Sequence, residues 1–387
     1  MNLRISKKII EAMKDSGVGF FATFPCEKVR ILYDLIPRHF KYVSVSREEE
    51  GVGICAGASL AGVKTAMLVQ SSGIGNMING LLSLTKTYQM PLLLMISWRG
   101  VYNEKIPAQV PMGEGLPEIL KSIGIATIII KSEHEIPKLS GFAREAYEND
   151  TIHAVLLNPF LWSNEAHTAN GRDDVSIETN MISQKEKKPW QLERLLTRLE
   201  VLRAATPYLN GKIVVCNLGI PSKELCYLNP QRSNFYMLGS MGLASSIGLG
   251  ISLFTSREVV VIEGDGSLLM NLGALSTIAA SKPSNLTILA IDNGVHGSTG
   301  NQPTAASCCV DLEMVARGLG FEKTYKAATR GEIESTLEGI QGGPNFIHVL
   351  AIPGNSDVPD VPLSPLEIKR NVMDSLREKA RSSIPLK

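Results

Sequence analysis

Over the first 160 residues, short apolar runs alternate with amphipathic stretches. The runs at 18–24, 42–45, 65–70, 92–97, 126–130 and 153–158 are largely unbroken by polar residues. Strands of a parallel sheet covered on both faces need that pattern. The segments between them carry helical periodicity, so the region reads as successive βαβ units. From residue 163 to about 190 the periodicity stops and the chain becomes polar and charged, as in an exposed connection. Alternation then resumes, with strands expected at 213–218, 235–238, 259–263, 287–292 and 346–351. The pattern predicts an α/β protein of two domains, 1–165 and 193–387, each a mostly parallel sheet flanked by helices, joined by a linker at 166–192. Near the end, Ser364-Pro365-Leu366-Glu367 has the form of a capping box opening a last helix.

Composition narrows the class. The chain has 387 residues, 44% hydrophobic and 20% charged, with 39 basic against 38 acidic side chains. A net charge of +1 gives no field to draw nucleic acid or an anionic membrane, and 6% aromatics leaves little for base stacking. No apolar run is long enough to span a bilayer. The N-terminal MNLRISKKIIEAMKDSG breaks into charges and reads as an amphipathic helix, not a secretion signal, so a cytoplasmic protein is expected. Its six cysteines, Cys26, Cys55, Cys216, Cys226, Cys308 and Cys309, are then expected as thiols, and none forms the paired spacing of a zinc or cluster site.

The strongest chemical signal begins at Val259. A buried strand ends in Gly264-Asp265-Gly266-Ser267 where a helix begins, and the next strand ends in Asp292-Asn293-Gly294. Asp265 and Asn293 therefore stand at the carboxyl ends of two strands, the edge at which open α/β sheets bind ligands. Both offer hard oxygen donors suited to Mg²⁺, which also takes phosphate oxygens. Gly264 and Gly266 let a ligand approach the backbone, and amides of the helix start suit phosphate. Together these residues describe a magnesium–diphosphate site.

This constellation resembles the signature of thiamine diphosphate (ThDP) enzymes. The resemblance implies two ThDP-binding-fold domains, one binding the pyrimidine and one the diphosphate. It implies that Asp265 and Asn293 ligate the metal, with the carbonyl of Val295 completing the protein's share. The family usually has Asn where Asp292 stands, but that position is not expected to be a ligand. The segment Ser46-Arg47-Glu48-Glu49-Glu50-Gly51 through Gly57 is similar to the family's pyrimidine-binding segment. There the catalytic glutamate precedes the helix glycine by nine positions; counting back from Gly57 selects Glu48, with Glu49 as close competitor. By the same likeness, the turn at Gly73 lines the cofactor and substrate pocket. In Gly239-Ser240-Met241-Gly242, the Gly239 carbonyl would accept from the cofactor's 4′-amino group and Met241 would prop the cofactor in its bent shape.

The linker is too short for the third domain of larger ThDP enzymes, which resembles the small decarboxylases of sulfopyruvate and phosphonopyruvate. The strings REEEGVGICAGASLAG, PAQVPMG and NFYMLGSMGLASSIGLG look like the sulfopyruvate family, with its alpha and beta subunits fused. The resemblance implies decarboxylation of 3-sulfopyruvate to sulfoacetaldehyde and CO₂ in coenzyme M biosynthesis, by a homodimer or larger homo-oligomer. A small dianionic 2-oxoacid needs cationic or amide donors, for which Arg47, Arg99, Lys105 and Gln109 are candidates. His296, beside the metal motif, could relay a proton. Its presence keeps phosphonopyruvate open as the substrate. A non-catalytic ThDP-binding scaffold is the rival from another class, and an intact Glu48 with the metal pair argues against it.

Overall fold

The computed structural model describes residues 3–162 and 193–382. The expected linker, 166–192, lies outside the described residues. The first unit contains β1 (Phe20–Thr23), β2 (Lys41–Ser44), β3 (Thr65–Gln70), β4 (Leu92–Ser97), β5 (Ala126–Ile130) and β6 (Ile152–Leu157). They form one parallel sheet in the order β2-β1-β3-β4-β6-β5. Every residue of β4 and β6 is buried, which explains their unbroken apolar runs.

The second unit holds β7 (Ile213–Cys216), β8 (Asn234–Tyr236), β9 (Val259–Gly264), β10 (Leu286–Asp292), a short hairpin of β11 (Val295–His296) and β12 (Gln302–Pro303), then β13 (Lys323–Ala327) and β14 (Asn345–Leu350). Its main sheet is again parallel, in the order β8-β7-β9-β10-β14-β13. Counting each sheet's strands from one along the chain, both orders read 2-1-3-4-6-5. The two halves therefore share one topology. Five strands of the second unit were legible in the sequence. β13 was not, because KTYKA is an edge strand with two lysines and no apolar run.

Two helices join the units, Glu48–Leu60 from the first and Ala244–Ser252 from the second. They approach so closely that a Cβ added at Gly57 would overlap the Ile247 carbonyl oxygen, and one at Gly250 the Ile54 carbonyl oxygen. Apolar residues of both units form one continuous core around this crossing. Cross-unit hydrogen bonds reinforce it: the Tyr88 hydroxyl donates to the Tyr236 carbonyl at 2.8 Å and accepts from the Leu238 N–H at 3.0 Å. The expected capping box is present, with Ser364 and Glu367 exchanging hydrogen bonds at the start of the helix Pro365–Ser382.

Candidate functional site

In each unit the chain runs from the first strand to one side and returns to the third on the other. That reversal opens a crevice at the carboxyl edge, where α/β sheets bind ligands. In the second unit it lies between the ends of β7 and β9. Gly264 ends β9, pairs with Ile291 of β10, and is followed at once by Asp265. Asp265, Ser267 and Asn293 are all buried here. A cavity at this edge is lined by Met241, Gly264 to Ser267, Asn293, Val295 and His296, together with Arg198 and Asn217. All the residues that line it belong to the second unit, between 198 and 299.

The donors are firmly placed. Thr304 donates to the Asp265 carboxylate. Burial, reinforced by the nearby charge of Asp292, pushes the Asp265 carboxyl up to about 6. The Asn293 side-chain oxygen accepts from the Val295 N–H at 3.3 Å. Ser267 accepts from Gly242 N–H at 3.0 Å and donates to Asn217 at 3.2 Å, tying the 239–242 loop to the strand edge. Asp292 does not line the cavity. Its carboxylate accepts from Gly294 N–H at 2.9 Å, Arg194 at 3.2 Å and the His348 ring at 2.9 Å. His348 is fully buried between Asp292 and Asp311. Burial opposes its charge, but the hydrogen bond to Asp292 and the nearby carboxylate of Asp311, 3.5 Å from Nδ1, outweigh that and raise its pKa. The His296 ring packs over Gly266, where any side chain would collide with it. Among the described residues, no three His, Cys, Asp or Glu side chains converge as metal ligands. A cation here would thus rest on Asp265, an amide and carbonyl oxygen, and the ligand's own oxygens.

The first unit carries the other candidates at its equivalent edge. The three glutamates separate by environment. Glu48 is buried, accepts from the Asn76 amide at 3.0 Å and packs directly on Gly73. Glu49 pairs with the exposed Arg47 at 3.8 Å. Glu50 is buried and accepts from the Ser46 N–H at 2.8 Å, which makes it a cap for its own helix. Arg99 is buried just beyond β4, its backbone N–H held by the Ser71 hydroxyl at 2.8 Å and its Nε on Glu104 at 2.5 Å. Lys105 is exposed, whereas the Gln109 side-chain oxygen is buried with no hydrogen-bond partner among the described residues. Gly239 and Ser240 lie at the seam between units, Ser240 Oγ sitting 2.5 Å from Ser83 Oγ.

Several lining residues escaped the sequence. Asn217 ends the loop edge of β7, and the carboxyl-edge rule could have found it. Arg198 looks like ordinary surface charge at a helix start, yet it is buried, with Nε and Nη2 on Glu224 at 2.7 and 3.1 Å. All six cysteines are free thiols; Cys308 and Cys309 are exposed and not part of the core. No helix among the described residues is long and apolar enough to cross a membrane.

Comparison with known proteins agrees with this geometry. Residues 3–122 match the family model "Thiamine pyrophosphate enzyme, N-terminal TPP binding domain" and residues 222–349 its C-terminal TPP binding domain. A sulfopyruvate decarboxylase of Methanosarcina acetivorans is 40% identical over 375 residues, covering 96% of this chain and 97% of the relative. A phosphonopyruvate decarboxylase of Streptomyces hygroscopicus is 34% identical over 352 residues, 88% of this chain and 85% of the relative. The separate alpha and beta subunits of sulfopyruvate decarboxylase in Methanocaldococcus jannaschii match as well, the alpha at 43% identity over 163 residues and the beta at 40% over 183. They cover 41% and 46% of this chain and 96% and 97% of themselves. In fold, the chain resembles the benzoylformate decarboxylase of Polynucleobacter necessarius, with a TM-score of 0.71, 12% identity, and coverage of 91% and 99% of the two chains. The chain thus belongs to the thiamine pyrophosphate enzymes, as a carboxy-lyase of the group that holds the sulfopyruvate and phosphonopyruvate decarboxylases, with alpha-like and beta-like halves fused on one polypeptide.

Proposed function

We propose that the protein decarboxylates 3-sulfopyruvate to sulfoacetaldehyde and CO₂, using thiamine diphosphate and Mg²⁺, as a step of coenzyme M biosynthesis. The observation that carries this reading is the buried pair Asp265 and Asn293 at the ends of adjacent parallel strands, with Glu48 buried at the matching edge of the sister unit. The residues fit the group. Ionised Asp265 is costly where it lies, and a divalent cation beside it removes that cost. Asp265, Asn293 and the Val295 carbonyl would hold Mg²⁺. Backbone amides at Gly266 and Ser267 would face the phosphates.

When bound, thiamine diphosphate supplies a carbon nucleophile and an electron sink for the bond to the departing CO₂. Glu48 would hold a proton at N1′ of the aminopyrimidine, Gly239 would accept at the 4′-amino group, and Gly73, Ser240 and Met241 would shape the space around it. His296, half-buried at the cavity wall, would deliver the proton that product release requires. Among the cations we assign the sulfonate to Arg99, since Arg47 and Lys105 are solvated. Gln109 would complete the contact by donating from its side-chain amide N–H. Domain limits of 1–165 and 193–387 around a 166–192 linker suit this division of labour.

The cavity draws no lining from the first unit, and Glu48 turns toward Gly73 and Asn76. We therefore propose at least a homodimer, in which Glu48 of one copy faces the diphosphate cavity of another. Phosphonopyruvate is the second reading, favoured by His296 and by the phosphonopyruvate relatives. Glu48→Gln tests the core of the proposal: ThDP should still bind by calorimetry while turnover falls by about a hundredfold or more, the usual scale for losing an acid–base group. Full activity in that variant would move the role to Glu49.

A further inference from the structure

At the carboxyl edge of the first sheet, Arg99 is the only buried Arg or Lys among that unit's described residues, at 4% exposure. Its place is the counterpart of Asn293, since β4 and β10 are each the fourth strand of the shared topology. It is also tied to the proposed catalytic edge. Ser71 at the end of β3 accepts from Arg99 N–H and donates to Arg99 O, and two residues later Gly73 packs on Glu48. Cys26, three residues beyond β1, donates its thiol to the Ser97 hydroxyl at 3.3 Å, two residues before Arg99.

This cation already has an anion. Glu104 Oε2 accepts from Arg99 Nε at 2.5 Å, and both side chains are nearly buried, at 5% and 8% exposure. Glu104 is the only carboxylate paired with Arg99 among the described residues. The contact uses one guanidinium nitrogen, whereas an oxyanion with three oxygens can engage two at once. Glu104 is also delivered by a largely exposed segment, held through the Tyr102 ring, which packs edge-on against Trp98 and Phe160. Tyr102 and Asn103 both hold left-handed backbone conformations, with φ of 55° and 61°, which non-glycine residues adopt against a steric cost. Residues 102, 103, 105 and 106 are exposed. Among the described residues, the Glu104 Oε1 bonds go only to the N–H groups of Lys105 and Ile106, so they travel with the loop.

We propose that Glu104 is a resident counter-ion of Arg99, displaced by the sulfonate or phosphonate of the incoming substrate, and that this exchange selects 2-oxoacids bearing a second anion. The inference rests on the reading of the chain as a decarboxylase of such acids. A monoanion such as pyruvate spends its carboxylate at the reacting centre and has nothing with which to displace Glu104. Arg99 stays occupied, and that substrate gains nothing from it.

The test compares wild-type, Glu104→Gln and Arg99→Met proteins, each loaded with ThDP and Mg²⁺. Methanesulfonate is titrated by calorimetry, and KM is measured for sulfopyruvate and pyruvate. Glu104→Gln keeps a side-chain oxygen for the Lys105 and Ile106 N–H groups while removing the charge. If Arg99 is free in about one molecule in ten, methanesulfonate should bind the variant about tenfold more tightly. The ratio of pyruvate KM to sulfopyruvate KM should rise by a similar factor, and Arg99→Met should abolish the methanesulfonate heat. Unchanged or weaker methanesulfonate binding in Glu104→Gln overturns the exchange, as does an unchanged KM ratio or binding that survives in Arg99→Met. A wild-type enzyme that turns over no dianionic 2-oxoacid refutes the proposed function separately, and the methanesulfonate titration still decides the role of Glu104.

Discussion

Glu48, Glu49 and Glu50 are adjacent and chemically alike, and spacing alone narrowed the choice to the first two. Their partners separate them, because one helical turn sends one carboxylate to the Gly73 turn, one to the exposed Arg47 and one back to cap its helix. Asp292 teaches a similar lesson. In sequence it is a departure from the family pattern at a metal motif; in the fold it braces the loop carrying Asn293, with His348 behind it. The His348 pair belongs to β14, far along the chain, so no local spacing could reveal it. This brace should leave a pH signature. Because its aspartate partners raise the pKa of His348, the stability it contributes is complete below about 6.5 and is lost as pH rises through the higher folded value. Asp292 and Asp311 face it, with Arg194 beyond the first and Lys326 beyond the second. The Tm of wild type should exceed that of His348→Asn most at pH 6 and progressively less toward pH 9. A constant gap across that range would show that the charge of His348 contributes nothing.

At the scale of elements, apolar runs located all six strands of the first sheet and five of the second, since buried parallel strands advertise themselves. Their order did not follow, because it is set by which helix crosses which face and not by any one segment. The same holds for the crossing of the Glu48–Leu60 and Ala244–Ser252 helices. Both stretches are rich in Gly, Ala and Ser, but nothing in either segment identifies its partner. The crossing leaves no room for a side chain at Gly57. Gly57→Ala should therefore destabilise the protein by about 1–3 kcal/mol, the usual cost of overpacking. Gly141→Ala, where an added Cβ meets nothing within 4 Å inside the helix Lys138–Glu148, should be neutral or slightly stabilising. Chemical denaturation of the two variants checks the contrast, and equal effects would contradict the close-packed crossing.

The whole molecule is one topology used twice, with different chemistry at the two equivalent edges. One edge offers Asp265 and Asn293; the other offers Glu48 and Arg99. No sequence repeat marked this likeness, because the shared feature is strand order and not residue identity. With the cavity lined by one unit alone, the two edges are expected to meet across copies. Glu48→Gln and Asp265→Asn proteins, each inactive, should regain about a quarter of wild-type activity when mixed and allowed to exchange subunits, since half the dimers would be mixed and each would hold one intact site. No recovery despite confirmed exchange would place both edges of a site in the same copy. The reaction itself is tested most directly by supplying the purified protein, with ThDP and Mg²⁺, with sulfopyruvate, phosphonopyruvate and pyruvate, and measuring the aldehyde formed. Sulfoacetaldehyde should appear fastest, and only with both cofactors present; no aldehyde from sulfopyruvate would contradict the account.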